Sequence, residues 1–403
     1  MEQNHLLGVK DEIEKELVDH ILPFWKTHVV DEYGDGFHGY MFFDLSIDKE
    51  SDKICILYSK ILWSFSAAYR MYNHEDDVKV AERAYDYMIE HFLDKEYGGF
   101  YWSLDEDNGL AKDTHKHMYN QAFALYGITE FFKVTGNGDV LNLAKELFRV
   151  MEKHGADKKN GGYYESFTRD WEQDGDLRLR ENDLHVAKTM KTHLLILQAY
   201  LNLYSVMEDE VVEDKLKALF DLLLEKGMNN ETGHVTLFFD EKWGQESSRV
   251  VYGRDMEFSW IMTAAAQALD CEKRVEKMKN VTMSIVDTCI EEGIEDDGSL
   301  VHESVNGEVL DGARVWWVQS EAMVAFLNAY EVTGEEKYLT HFNNSWDYIR
   351  DYYVDPKHGE WYWQLTRDNE IDTSKPIVEP WKGPDHNSRA CMEVIERVSR
   401  IVH

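Results

Sequence analysis

One motif recurs six times and constrains the fold more than any other feature. A polar turn leads through glycine into an aromatic or alternating stretch. It reads Asp31-Glu-Tyr-Gly-Asp-Gly-Phe-His-Gly-Tyr40, then Asp94-Lys-Glu-Tyr-Gly-Gly-Phe-Tyr-Trp102 and Asp157-Lys-Lys-Asn-Gly-Gly-Tyr-Tyr164. Asn229-Asn-Glu-Thr-Gly-His-Val235, Glu295-Asp-Asp-Gly-Ser-Leu300 and Asp355-Pro-Lys-His-Gly-Glu-Trp-Tyr-Trp363 complete the set. A second polar turn often follows, as in Asp105-Glu-Asp-Asn-Gly109, Asn306-Gly-Glu308 and Arg367-Asp-Asn-Glu370. This is the grammar of short hairpins. A return every 60–70 residues, roughly, marks a repeat architecture.

Two helices fill each interval. Those before the hairpins carry one polar face: Lys10–Phe24, Asp77–Phe92, Leu141–His154, Val212–Lys226, Lys273–Glu291 and Glu336–Val354. Those after the hairpins are apolar nearly all round: Ile54–Tyr72, Asn120–Phe132, Thr189–Tyr204, Met256–Leu269, Ser320–Tyr330 and, more weakly, Arg389–Val402. A helix without a wet face belongs inside a protein. Twelve helices alternating between half-exposed and buried predict an all-α, (α/α)6 barrel spanning 1–403 as one domain, with six inner and six outer helices. Only five prolines are present, four of them in the last fifty residues, which suits helices.

This topology puts every inner-helix N-terminus at one rim, walled by the hairpins. Free amides and positive dipole ends gather there. The six starts carry Tyr58, Lys60 and Trp63; His117, Tyr119, Asn120 and Gln121; Lys188, Lys191 and His193; Arg254, Asp255 and Glu257; Trp316, Trp317 and Glu321; and Trp381 and His386. A polar, aromatic cup of this kind suits a mono- or oligosaccharide. Trp316 and Trp317, being adjacent, are expected to face different sides. His386, in a proline-bounded segment, reads as a loop residue.

Composition narrows the partners. The net charge is −34 with no basic block, which disfavours nucleic acid and anionic membrane. Cys55, Cys271, Cys289 and Cys391 are dispersed and read as thiols in a reducing compartment. No metal-binding motif such as HExxH occurs, so no metal is expected. The sequence contains no signal-peptide pattern and no apolar run of membrane length, so a cytoplasmic, soluble protein, monomer or homodimer, is expected.

At the cup residues the chain resembles the N-acylglucosamine 2-epimerase and cellobiose 2-epimerase family, nearly end to end. The markers are Ile61-Leu-Trp63, Lys116-His-x-Tyr-Asn-Gln-Ala-Phe123, Lys188-Thr-Met190, Tyr252-Gly-x-Asp-x-Glu257, Arg314-Val-Trp-Trp-Val-Gln-x-Glu321 and Pro380-Trp-Lys-x-Pro-x-His-Asn-x-Arg389. The resemblance implies the barrel fold and proton transfer at C2 of a reducing-end sugar by two histidines, with no organic cofactor. It maps His386 onto one of them and Glu257 onto the carboxylate orienting the other. It also maps Trp381 and one of Trp316 and Trp317 onto sugar platforms, and Tyr119 onto a pocket tyrosine.

Four positions depart from that pattern. Lys60 replaces an arginine, Lys191 an asparagine, Leu195 a histidine, and Arg254 the general-base histidine. Arginine stays protonated, so Arg254 cannot accept a proton. One expectation is therefore an epimerase or isomerase in which Lys191 or Lys60, its pKa depressed by neighbouring cations, works opposite His386. A second reads the same three cations as recruiting a phosphorylated, sulfonated or uronic sugar. A glycoside hydrolase using Asp255, Glu257 or Glu321, and a non-catalytic sugar binder, complete the alternatives.

Overall fold

The computed structural model describes residues 2–105, 109–179 and 183–402. The middle of the turn 105–109 lies outside them. All twelve helices are present. The outer ones are α1 (Glu2–Lys15, continued by π-type turns to Val29), α3 (Glu75–Tyr87, continued to Phe92) and α5 (Gly138–Val150, continued to Gly155). With them stand α7 (Glu210–Lys226), α9 (Glu272–Gly293) and α11 (Glu336–Tyr348, continued to Tyr353). The inner ones are α2 (Cys55–Tyr72), α4 (Met118–Thr135), α6 (Met190–Met207), α8 (Tyr252–Ala268), α10 (Trp316–Thr333) and α12 (Asp385–Val402).

Each inner helix packs against the next, and α12 returns to touch α2. The ring therefore closes, which excludes an open superhelical array. Strands too short to stand alone staple the rim. Residues leading into one inner helix pair with the hairpin of the following repeat: Lys53–Ile54 with Ser103–Leu104, and Lys188–Thr189 with Phe238–Phe239. Arg249–Val251 pairs with Glu303–Val305, and Arg314–Val315 with Gln364–Leu365. The Met41 backbone meets Val378 across the closure, with Met41 N donating to Val378 O at 2.9 Å.

The hairpins are equivalent. Their bridges are Val30–Phe37, Leu93–Phe100, Ala156–Tyr163, Met228–Val235, Ile294–Leu300 and Val354–Trp361. Five inner helices anchor these hairpins through their fourth residue, whose side chain satisfies a buried backbone amide. Tyr58 Oη accepts from Phe37 N at 3.0 Å, Gln121 Oε1 from Phe100 N at 2.8 Å, and His193 Nε2 from Tyr163 N at 2.9 Å. Asp255 Oδ1 accepts from Val235 N at 2.8 Å, and Gln319 Oε1 from Leu300 N at 2.9 Å. In the sixth repeat Glu360 Oε1 takes the Trp361 amide at 2.7 Å and is itself held by Asn387 and Lys382. A buried amide without a partner costs free energy, so these positions require a polar side chain whatever the ligand.

Four inner helices, α4, α8, α10 and α12, begin up to one turn earlier than the sequence reading, because their first turns are polar or aromatic and do not show the apolar pattern, whereas α2 and α6 begin one residue later. His386 is thus the second residue of α12, not a loop residue, and Arg254 and Asp255 lie inside the first turn of α8.

Gln319 also donates to Leu300 O at 2.7 Å, so its amide closes a two-bond clasp in a buried site. Gln319→Ala is expected to destabilise the fold by about 2–4 kcal/mol, read from the midpoint of chemical denaturation. An unchanged midpoint would contradict the anchoring role.

Candidate active site

The rim surrounds a solvent-open cavity of about 210 Å³. Its lining follows the helical period. The second residues of four inner helices reach it: Tyr119, Lys191, Trp317 and His386. Residues four apart share a helix face, so the sixth residues lie beneath them. That lower layer holds Lys60, Leu195, Glu257 and Glu321, all buried. The fourth residues point to the hairpins instead.

This periodicity sorts the candidate residues. Lys60, Tyr119, Lys191, Arg254, Trp316, Trp317, Trp381 and His386 line one cavity. Tyr58 and Asp255 do not reach it, being hairpin anchors. Asn120 donates to Tyr101 O at 3.0 Å and is likewise turned away. Both tryptophans of the adjacent pair face the cup, contrary to expectation. Trp316 starts α10 and lies low, 6.3 Å from the His386 ring in T-shaped contact, whereas Trp317 stands 5.6 Å from the same ring. Gly253 makes room for Trp317: a Cβ there would approach its ring to 2.6 Å.

Beneath the cup a charge network runs from wall to wall. Arg254 lies over Trp317 at 4.6 Å and is hydrogen-bonded to Glu257. Arg389 spans Glu257 at 3.3 Å and Glu321 at 2.6 Å. Glu321 accepts from Trp260 Nε1 at 2.8 Å and from His386 Nδ1 at 2.7 Å. Burial alone would raise the Glu321 carboxyl, but Arg389, then His386 and Trp260, reverse this and bring it down to about 2. Glu321 is therefore a carboxylate that orients His386, not a residue of the cavity wall. With Nδ1–H committed to Glu321, the lone pair of the neutral imidazole is on Nε2. Glu257, Glu321 and His386 have ligand atoms within 4.8 Å of one another. The Arg389 guanidinium already bridges the two carboxylates.

Each cation of the cup has a carboxylate partner. Lys60 pairs with Asp385 at 3.1 Å and donates to Trp381 O at 3.0 Å. Lys191 pairs with Asp183 at 2.8 Å. Burial pulls Lys191 down, Asp183 and Glu165 oppose this, Arg254 adds to it, and the net direction is down.

The structure also brings in residues not on helix starts. His302 lines the cup from the fifth hairpin, its ring 6.3 Å from Trp317. Its Nδ1 is held by Asp311 Oδ2 at 2.9 Å. Asp183, Arg249 and Trp363 also line the cavity. The signal for His302 was a histidine and an aspartate facing each other across one hairpin, where Glu303 pairs with Asp311.

Residues 36–380 match the profile of the N-acylglucosamine 2-epimerase family. The chain belongs to this family. It is 38% identical to a cellobiose 2-epimerase of Bacteroides fragilis over 388 residues, covering 96% of this chain and 98% of that protein. It is 39% identical to a cellobiose 2-epimerase of Ruminococcus albus over 391 residues, covering 96% and 98%. The solved cellobiose 2-epimerase of Bacillus thermoamylovorans superposes with a TM-score of 0.90 at 38% identity, covering 96% of this chain and 99% of that one. A D-mannose isomerase (TM-score 0.82, 19% identity) shares the barrel fold.

Asp255 illustrates how a family marker serves the scaffold. Besides the Val235 amide it accepts from His234 Nδ1 at 2.7 Å, and His234 Nε2 reaches Glu292 at 2.9 Å. Burial opposes a charge on His234, but Asp255 and then Glu292 push the imidazole up to about 9. Burial raises the Asp255 carboxyl as well, against His234 and the Val235 amide. A histidine with a raised folded pKa stabilises fully below its unfolded value of 6.5, and that stability is lost as pH rises through about 9. Stability should therefore fall by about 2–3 kcal/mol between pH 6.5 and 9 in denaturant titrations. His234→Gln should already be weakened at pH 6.5 and lack this slope; an equal slope in both proteins would contradict the assignment.

Proposed function

We propose that this chain is a carbohydrate epimerase or isomerase acting at C2 of a reducing-end sugar, with His386 and His302 as the two proton carriers. One observation carries the reading. Two imidazoles line the same cup beside the same indole, Trp317, and each has Nδ1 held by a carboxylate, Glu321 and Asp311. His302 would exchange protons through Nε2, and so would His386, whose Nε2 lies 3.8 Å from Asp385 Oδ2, the carboxylate that also pairs with Lys60. Epimerisation needs a base on one face of C2 and an acid on the other, both with pKa near neutrality.

In this mechanism the sugar ring opens in the cup, with Trp381 and Trp317 as apolar platforms. One imidazole Nε2 removes the C2 proton. The C–H electron pair moves into a C1–C2 double bond, and negative charge develops on O1. Arg254 and Lys60 supply positive charge for that oxygen. The second imidazolium returns a proton to C2 from the other face, restoring the aldehyde. The names of the full-length relatives support a cellobiose-type disaccharide as the first substrate to test.

Lys191 is the second reading for the second carrier, favoured by the downward direction of its pKa. The alternatives have less support. The cup cations are already paired with Asp385, Asp183 and Glu257, which weakens the case for an anionic sugar. Among the described residues lining the cup the carboxylates reduce to Asp183, whereas glycoside hydrolysis needs two facing the substrate.

The test is deuterium wash-in at C2 of glucose, mannose and cellobiose in D₂O. Exchange is expected in the wild type, with a loss of about 10²–10⁴-fold in His386→Asn and in His302→Asn and a much smaller effect in Lys191→Met. If Lys191→Met abolishes exchange and His302→Asn does not, the second carrier is Lys191. Exchange with no aldose would sink the reading.

A further inference from the structure

A second cavity adjoins the cup beside Trp381. The Trp381 ring lies 6.2 Å from the Trp102 ring, the two planes tilted by 46°. Trp381 lines the cup, and Trp102 lines a neighbouring cavity of about 190 Å³. Both indoles are partly exposed. Two such faces, one after the other, form a stepped platform leading away from His386.

The rest of the second cavity is polar. His115 stands half exposed between two carboxylates, with Nδ1 2.5 Å from Asp113 and Nε2 3.2 Å from Asp174. Arg178 adjoins them, paired with Asp176 at 2.7 Å. Carboxylate oxygens accept from sugar hydroxyls, and a guanidinium donates to them. A flat apolar ring face on tryptophan, with hydroxyls directed to such groups, is the chemistry that recognises a saccharide unit.

We propose that this cavity is a distal saccharide subsite, taking the third unit of an oligosaccharide whose reducing end occupies the cup. The direction of the chain rests on the function proposed above; the existence of the subsite does not. Trp102 is its apolar wall, next to Trp381 of the cup, and Asp174, held in place by His115, offers a carboxylate to accept from sugar hydroxyls.

Isothermal titration of the full chain with β-1,4-linked glucose oligomers of two, three and four units tests this. The trimer should bind about tenfold tighter than the dimer, and the tetramer no tighter than the trimer. Trp102→Ala and Asp174→Asn should each return the trimer to the affinity of the dimer while leaving the dimer unchanged. Asp174→Asn is nearly isosteric and guards against a folding defect in the tryptophan variant. Equal affinity for dimer and trimer, absence of binding by either, or a gain that survives both substitutions, would overturn the subsite. C2 exchange without the length effect would overturn the subsite and leave the catalytic proposal standing. The length effect without exchange would do the reverse.

Discussion

The cup depends on one buried cation. Arg389 holds Glu257 on one side and Glu321 on the other, with its guanidinium over the Trp260 indole at 5.3 Å. Those two carboxylates in turn fix Arg254 and His386. Burying three charges together is favourable only when each is matched, and removing one member of such a set costs about 3–5 kcal/mol because it strands the others. The network therefore does two things at once. It ties α8, α10 and α12 together below the floor, and it sets the orientation and tautomer of the imidazole above it.

The barrel was legible because its signal is repeated. Six turns at similar spacing, with helices of alternating polarity between them, leave little choice of architecture. The cup was legible in part. Inner-helix starts meet at one rim, but a start contains every direction of the first turn, and Tyr58, Asp255 and Asn120 do not line the cavity. At about 100° per residue, the second residue faces the cavity and the fourth faces the hairpin. That is why Tyr119, Lys191, Trp317 and His386 converge while Tyr58 and Asp255 clasp hairpin amides. Asn120, one place on from Tyr119, is turned out by the same rotation. His302 and Asp183 escaped notice because they lie on a hairpin and a connection, where no helical period marks direction.

The departures from the family pattern share a physical theme. Lys191 and Arg254 add positive charge to the rim, Lys60 keeps the charge of the arginine the resemblance implies there, and each has an adjacent carboxylate in Asp183, Glu257 and Asp385. The cup acquires cations without an uncompensated excess. Leu195, where the resemblance implies a histidine, lies in the buried layer below Lys191, and an apolar side chain there needs no partner. The loss of imidazoles at two helix positions coincides with an imidazole entering from the fifth hairpin.

Two carriers make a distinct stereochemical demand. A proton taken by one imidazole is not the proton delivered by the other, so a product formed in a single turnover carries hydrogen from solvent at C2. The most direct measurement is a single-turnover reaction of a disaccharide labelled with deuterium at C2 of its reducing unit, in ordinary water, followed by NMR. The account predicts a C2-epimeric product whose C2 hydrogen comes wholly from water, with no deuterium at C1. A ketose carrying the label at C1, or an epimer retaining it at C2, would contradict it, since either requires one carrier working on one proton.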